Sequence, residues 1–131
     1  MSFLDSISTC FSKYITFSGR ATRSEFWWFV LFLLVGQMIA GAADSAIFGD
    51  KVVIMGGMEF SYTAGYFGNI FALVTFLPAW AVEVRRLHDT GRSGWWILLW
   101  LIPLIGFIIL LIWLIGKGSE GDNAYGADPL V

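Results

Sequence analysis

The chain has 131 residues, of which 57% are hydrophobic, 18% aromatic and only 14% charged. Soluble domains carry about 25% charged residues, and a protein this small cannot enclose so much apolar surface in water. The formal net charge of −2 excludes the overall basic field of a nucleic-acid-binding protein. The composition therefore predicts an integral membrane protein.

Apolar residues recur at helical spacing near the N-terminus: Phe3, Leu4, Ile7, Phe11, Tyr14 and Ile15. This face predicts an amphipathic helix over residues 1–18 that lies on the membrane surface. A short helix packed against the rest of the protein would show the same pattern. The following "TRSE" has the form of a capping box: Thr22 accepts from the backbone N–H of Glu25, and the Glu25 side chain returns to the N–H of Thr22.

Three uncharged segments predict transmembrane helices over residues 26–43, 65–82 and 95–116, because a helix needs about 17–25 residues to cross a membrane. A cleaved signal peptide is the alternative for the first of these, since "AGAAD" resembles a cleavage site; the long polar region before it argues against this. The predicted fold is all-α: an interfacial helix and three transmembrane helices in a single membrane domain over residues 1–131. Residues 117–131 form its polar tail.

The basic residues predict the orientation, because cytoplasmic loops carry an excess of Lys and Arg. Six of them flank the first segment or lie between the second and third: Lys13, Arg20, Arg23, Arg85, Arg86 and Arg92. Residues 44–64 and the tail contain one Lys each. The N-terminus and residues 83–94 are therefore expected in the cytoplasm, with residues 44–64 outside. Three spans would place the tail outside as well.

The connector "EVRRLHDTGRSGWW" concentrates the charge. Helical spacing predicts one ion pair between Glu83 and Arg86 and another between Arg85 and Asp89. "DTGRSG" then ends the helix; Gly91 is suited to a left-handed conformation, and Ser93 is suited to cap the next helix.

Two interpretations of this charge remain open. The arginines are suited to anchoring the connector at the cytoplasmic boundary, and they are also suited to holding the phosphate of a lipid head group or a soluble anion. The candidate residues for binding anionic lipid or a partner are Arg20, Arg23, Arg85, Arg86, His88, Asp89 and Arg92. Four indoles are predicted to anchor the same face in the membrane interface: Trp27, Trp28, Trp95 and Trp96.

His88 and Asp89 are adjacent residues of the types that metal sites and catalytic pairs use. His88 is the only histidine of the chain, and the sequence places no nucleophile beside it. No catalytic residue, metal or cofactor is therefore predicted, and the protein is expected not to be an enzyme.

Four motifs in order, "FSGRATRSEFWWF", "RRLHDTGRSGWW", "IPLIG" and "GSEGDNAYGADP", resemble those of domain-of-unknown-function family 805, small bacterial inner-membrane proteins. The resemblance covers nearly the whole chain and implies a polytopic inner-membrane protein, but it implies no activity. Its tail motif matches Gly121, Asn123, Tyr125, Gly126 and Pro129. If "IPLIG" turned the third segment back as a re-entrant hairpin, this motif would meet the arginines. Each half would then be too short to span, so three spans remain the expectation.

The sequence thus favours a non-enzymatic protein that binds a protein partner or anionic phospholipid through a cytoplasmic Arg/Trp face. The alternative is a subunit of an oligomeric channel or small-solute transporter. Besides the lipid bilayer, the expected partners are a second copy of the chain or another membrane protein, and not nucleic acid.

Overall fold

A computed structural model describes residues 1–130. Within them the chain forms α1 (Phe3–Ser12), α2 (Arg23–Phe48), β1 (Asp50–Met55), β2 (Met58–Thr63), α3 (Tyr66–Asp89), a 3₁₀ helix (Gly94–Leu101) and α4 (Ile105–Ile115). These elements belong to two compact units. One contains Met1–Leu31 together with the chain from Leu77 onward, and the other contains Phe32–Phe76.

Helices α2 and α3 are long and apolar enough to cross a membrane, with 26 and 24 residues. They confirm the helices predicted over residues 26–43 and 65–82. Within an apolar stretch of 18 residues in each helix, only 11% of the α2 residues and 28% of the α3 residues are buried. The core helix of a soluble protein is mostly buried, so this exposed apolar surface fits contact with lipid.

The predicted transmembrane helix over residues 95–116 is wrong as a single helix. The segment divides into the eight-residue 3₁₀ helix and the eleven-residue α4, and each is too short to span a bilayer. Leu104 lies between them at φ 66° and ψ −67°, and the N–H of Ile105 donates to the carbonyl of Pro103 over 2.8 Å. These values describe a γ-turn with positive φ, a rare and strained conformation for leucine. "IPLIG" is therefore the turn of a helical hairpin.

Gly106 allows the two halves of this hairpin to pack closely. It is buried, and a methyl group at its α-carbon would overlap the carbonyl of Leu99. The hairpin returns the chain toward the end of α3, as the re-entrant alternative required.

Residues 50–63 correct the all-α prediction in part, because β1 and β2 form a small antiparallel hairpin. The register pairs Asp50 with Thr63 and Met55 with Met58. Gly56 and Gly57, at φ 58° and 81°, form the turn. Two consecutive residues with positive φ make the type I′ turn that matches the twist of the strands, and glycine adopts it without steric cost.

In the same unit Asp44 holds the start of α3. Its buried carboxylate accepts from the backbone N–H groups of Phe67 at 2.8 Å and Gly68 at 3.0 Å. These N–H groups have no partner within the helix, and the carboxylate also complements the positive end of the helix dipole. Gly36 lies against the ring of Phe71, which a methyl group there would overlap. The small residue thus brings α2 and α3 close together in this unit.

Helix α1 packs on the first turns of α2. Its fully buried positions are Ser6 and Cys10, whereas Leu4 is exposed. Phe3 meets Trp28 edge to face at 5.8 Å, and Phe11 meets Phe29 in the same way at 5.9 Å. The side of α1 that faces the protein therefore mixes aromatic rings with small polar groups, which apolar periodicity alone did not indicate.

The helical hairpin predicts that residues 117–126 lie on the same side of the membrane as residues 83–94. Single cysteines at Thr90 and Glu120, each introduced in a Cys10→Ser background, should therefore show the same accessibility to a membrane-impermeant maleimide in intact cells. Both should react after permeabilisation. Three spans would instead expose one of the two positions and shield the other.

Candidate functional site

The side chain of Asp89, the last residue of α3, lies between two guanidinium groups. Its Oδ1 accepts from Nε of Arg20 over 2.9 Å, and its Oδ2 accepts from Nη1 of Arg86. The side chains of both arginines are at most 1% exposed, and that of Asp89 is 6% exposed. One carboxylate thus balances two buried charges, which leaves an excess of one positive charge inside the protein.

Backbone carbonyls accept the remaining N–H groups of the two arginines. Arg20 donates to the carbonyls of Ser119 at 2.6 Å and Gly121 at 2.7 Å. Arg86 donates to the carbonyls of Leu114 at 3.2 Å and of Gly116. The latter two carbonyls lie at the C-terminal end of α4, where the helix dipole is negative. The α4 terminus and the tail therefore stabilise the excess charge.

The tail also pairs with the backbone at the end of α3. The N–H of Ser119 donates to the carbonyl of Asp89 over 2.6 Å, and the side-chain amide of Asn123 donates to the carbonyl of His88 over 2.9 Å. Gly118 is required for this approach, because a methyl group at its α-carbon would overlap the Asp89 carboxylate. We call residues 117–126 the docked tail.

A second buried ion pair joins the start of α2 to α3, and two residues of α1 pack beside it. Nη1 of Arg85 donates to Oε1 of Glu25 over 2.6 Å, and both side chains are at most 4% exposed. The hydroxyl of Ser6 donates to the carbonyl of Glu25, and the Cys10 thiol lies 4.0 Å from Oε1 of Glu25. Burial and the nearby Glu25 carboxylate raise the pKa of Cys10 to about 11. Cys10 is therefore a protonated, packed thiol and is not suited to nucleophilic chemistry.

His88 is held on two sides. Its Nδ1 lies 3.0 Å from the carbonyl of Gly19, and the ring of Tyr125 stacks on the imidazole at 4.2 Å with 2° between the planes. A carbonyl oxygen only accepts, so Nδ1 carries the proton and Nε2 of the neutral ring is left as an acceptor. The docked tail thus fixes the plane of the imidazole, and the segment before α2 fixes its tautomer.

The structure separates the predicted binding residues into two groups. Arg20, Arg85, Arg86 and Asp89 are buried and paired with one another, with Glu25 or with backbone carbonyls. Arg23 is exposed, and its guanidinium group makes no hydrogen bond or ion pair with any residue of the described chain. Arg92 is half-buried, and its guanidinium lies 4.4 Å from the ring centroid of Trp113.

The predicted interface tryptophans differ in environment. Trp28, Trp95 and Trp96 are exposed, and Trp95 reaches 79%. Trp27 is half-buried, and its Nε1 donates to the carbonyl of Leu114 over 3.3 Å.

Both ion pairs predicted within α3 are wrong. Arg85 pairs with Glu25 and not with Asp89, and Glu83 accepts from Nε1 of Trp100 at 2.7 Å and not from Arg86. The capping prediction is half confirmed: Thr22 Oγ1 accepts from the N–H of Glu25 at 3.2 Å, but the Glu25 side chain turns to Arg85. Two predictions for the connector are confirmed. Gly91 has φ 77°, and the Ser93 hydroxyl accepts from the N–H of Trp95.

Sequence reasoning missed Glu25 and the tail carbonyls as parts of this site. Glu25 fits a helix start so well that a long-range partner was not expected. Backbone carbonyls carry no residue-type signal, although the glycines at 118, 121 and 126 and the tail motif marked their region. The described residues contain no group of three or more His, Cys, Asp or Glu side chains arranged to hold a metal ion.

The protein is thus mostly helical, with two apolar helices of membrane-spanning length and a buried network of ion pairs. The model of the family described as "Protein of unknown function (DUF805)" matches residues 14–127. The chain belongs to this family, which confirms the resemblance of its four motifs.

Relatives in Escherichia coli K12 support the assignment. The chain is 39% identical over 117 residues to inner membrane protein YhaH, with 89% of each chain covered. It is 40% identical over 118 residues to inner membrane protein YhaI, with 89% of this chain and 88% of the relative covered. The uncharacterized protein YiiR is 29% identical over 148 residues, with 86% and 85% covered. No solved structure matches the chain at a significant level.

Replacing Asp89 with Asn removes the charge between the two guanidinium groups and keeps the side-chain size. We expect the free energy of unfolding to fall by about 3–5 kcal/mol, as when one partner of a buried ion pair is removed. Reversible unfolding in mild detergent measures it. The control Glu120→Gln breaks the exposed pair with Lys117 and should leave stability almost unchanged. Equal effects of the two substitutions would contradict the central role of Asp89.

Gly118→Ala should displace the docked tail, because the added methyl group overlaps the Asp89 carboxylate. Limited proteolysis should then cleave residues 117–126 about tenfold faster, since the local opening free energy decreases. Gly41→Ala is the matched control, because a methyl group there meets nothing within 4 Å. If both variants were cleaved at the wild-type rate, tight docking of residue 118 on Asp89 would be disproved.

Proposed function

We propose that this chain is a non-enzymatic protein of the bacterial inner membrane that binds anionic phospholipid at the start of α2. The observation that carries the proposal is the division of the arginines. Each arginine of the buried network is shielded from solvent and has at least one internal partner, whereas Arg23 is exposed and its guanidinium group has none among the described residues. Arg23 is therefore the guanidinium most available to a phosphate.

A small apolar cleft lies along the first turns of α2. Ser24, Trp27, Trp28 and Leu31 line it, and its volume is about 230 Å³. These residues follow each other at helical spacing on one side of α2, directly after Arg23. A phosphate at Arg23 would be near the positive end of the α2 dipole, and an acyl chain would lie along the indoles and Leu31. This arrangement supports a phospholipid over a soluble anion.

The proposed orientation places the N-terminus, residues 83–94 and the docked tail in the cytoplasm. Because the docked tail contacts Arg20 and the end of α3, Lys117 joins the six basic residues assigned to the cytoplasmic side. Lys51 is then the one basic residue assigned to the other side, out of eight Lys and Arg in total. This distribution follows the positive-inside rule more closely than three spans did.

Native mass spectrometry of the protein released from mild detergent with added phosphatidylglycerol tests the proposal. We expect a monomer or dimer that retains anionic lipid. Arg23→Gln should weaken retention about fivefold, since one basic residue near an anionic surface contributes about 1 kcal/mol. Lys51→Gln removes an exposed charge on β1 and should leave retention unchanged.

Three outcomes would overturn the assignment. Equal retention in Arg23→Gln and the wild type would exclude Arg23 as the head-group site. A ring of four or more subunits without lipid would favour the oligomeric channel. A co-purifying protein lost in Arg23→Gln, without any lipid adduct, would favour a protein partner on the same face.

A further inference from the structure

A separate cavity of about 440 Å³ lies beside His88. Trp80, Val84, Trp95 and Ile97 form most of its apolar wall, and His88 and Ser93 are its polar lining residues. Pockets of about 300–1,000 Å³ with apolar walls and a few placed polar groups are typical of small-molecule sites. Neither the ion-pair network nor the cleft at Arg23 includes this cavity.

His88 presents a defined acceptor to the cavity. Because Nδ1 donates to Gly19 and Tyr125 covers one face of the ring, the remaining polar atom of the neutral imidazole is Nε2. Nε2 makes no hydrogen bond within the described part of the chain. Gly94 also lines the cavity, and its missing side chain leaves room for a ligand to reach Nε2. A methyl group at its α-carbon would lie 3.5 Å from Nε2 and 2.6 Å from Val84 Cγ1.

The lining also restricts the charge of an occupant. No Lys, Arg, Asp or Glu is among the residues that line the cavity. A charged head group would lose its hydration there without gaining an ionic partner, which is strongly unfavourable. A hydroxyl group suits the lining better, since it donates to an acceptor such as Nε2 and also accepts from a donor such as the Ser93 hydroxyl.

We propose that this cavity binds the hydroxyl group of an uncharged membrane amphiphile, which donates to Nε2 of His88 while its apolar body lies against Trp80 and Trp95. Two kinds of molecule carry this chemistry in a bacterial membrane: a diacylglycerol and an isoprenoid quinol. The cavity is large enough for the head and the first part of the chain. Trp95, 79% exposed, marks the side where the chain would continue into lipid.

Matched ligands test the hydrogen bond without any substitution. Binding of dioctanoylglycerol and of a short-chain ubiquinol is measured on the purified full chain in nanodiscs. Each is compared with the ether in which every hydroxyl group is O-methylated, which keeps the body and lacks any donor. We expect one of the two alcohols to bind about tenfold more tightly than its ether, the effect of one neutral hydrogen bond in an apolar site. The alcohol that shows this preference identifies the source.

Substitutions assign the preference to the cavity. His88→Asn keeps a donor for the Gly19 carbonyl and removes the acceptor at Nε2, so it should abolish the preference for the alcohol and leave ether binding unchanged. Gly94→Ala should weaken both ligands by narrowing the cavity. Tyr125→Phe keeps the stacked ring and should behave as wild type. Arg23→Gln should also bind both ligands normally, which separates this proposal from the phospholipid site.

Equal binding of alcohols and ethers by the wild-type protein would overturn the proposal, as would a preference that survives in His88→Asn. Absence of binding by both alcohols at saturating concentration would overturn it as well. An unfolding midpoint recorded for each variant shows whether lost binding reflects lost structure. The comparison of alcohol and ether in the wild-type protein is decisive even if a variant fails to fold.

Discussion

The contact of the Asp89 carboxylate with two guanidinium groups is the interaction on which the rest of the buried network and the docked tail depend. Two buried positive charges and one negative charge cannot be stable together unless further negative potential surrounds them. The chain supplies it with carbonyl groups that are aligned at the end of α4 and in the docked tail. Segments far apart in sequence, before α2, at the end of α3 and after α4, are thereby joined at one point.

This requirement explains the shape of the third apolar segment. A straight helix over residues 95–116 would carry its C-terminal carbonyls away from Arg86. The helical hairpin returns them, and the strained γ-turn at Leu104 together with the close approach at Gly106 makes the reversal sharp. Strain at one leucine, of order 1–3 kcal/mol, is smaller than the destabilisation expected from a buried, unpaired arginine. The apolar length of a segment is thus a poor guide to topology when its end must serve a buried charge.

The sequence predicted the features that depend on local chemistry. Helices α2 and α3, the left-handed Gly91 and the Ser93 cap follow from apolar length, a missing Cβ and a short hydroxyl side chain. It did not predict which carboxylate meets which arginine. Residues three or four positions apart on a helix compete with partners that the fold brings together from distant parts of the chain. Asp89 pairs with both the nearby Arg86 and the distant Arg20. Glu25 forms its ion pair only with the distant Arg85. Orientation of His88 toward a cavity depends on Gly19 and Tyr125, which no periodicity connects with it.

The docked tail has a consequence for the order of events during synthesis. Arg20, near the N-terminus, emerges from the ribosome long before Ser119 and Gly121, which accept its hydrogen bonds. While α2 and α3 are being translated and inserted, the guanidinium group of Arg20 therefore still lacks the tail carbonyls that enclose it. That group must stay hydrated at the membrane surface until the last part of the described chain arrives. Closure of the network is then a late step, and a nascent chain halted before residue 119 should still be open to quality-control proteases.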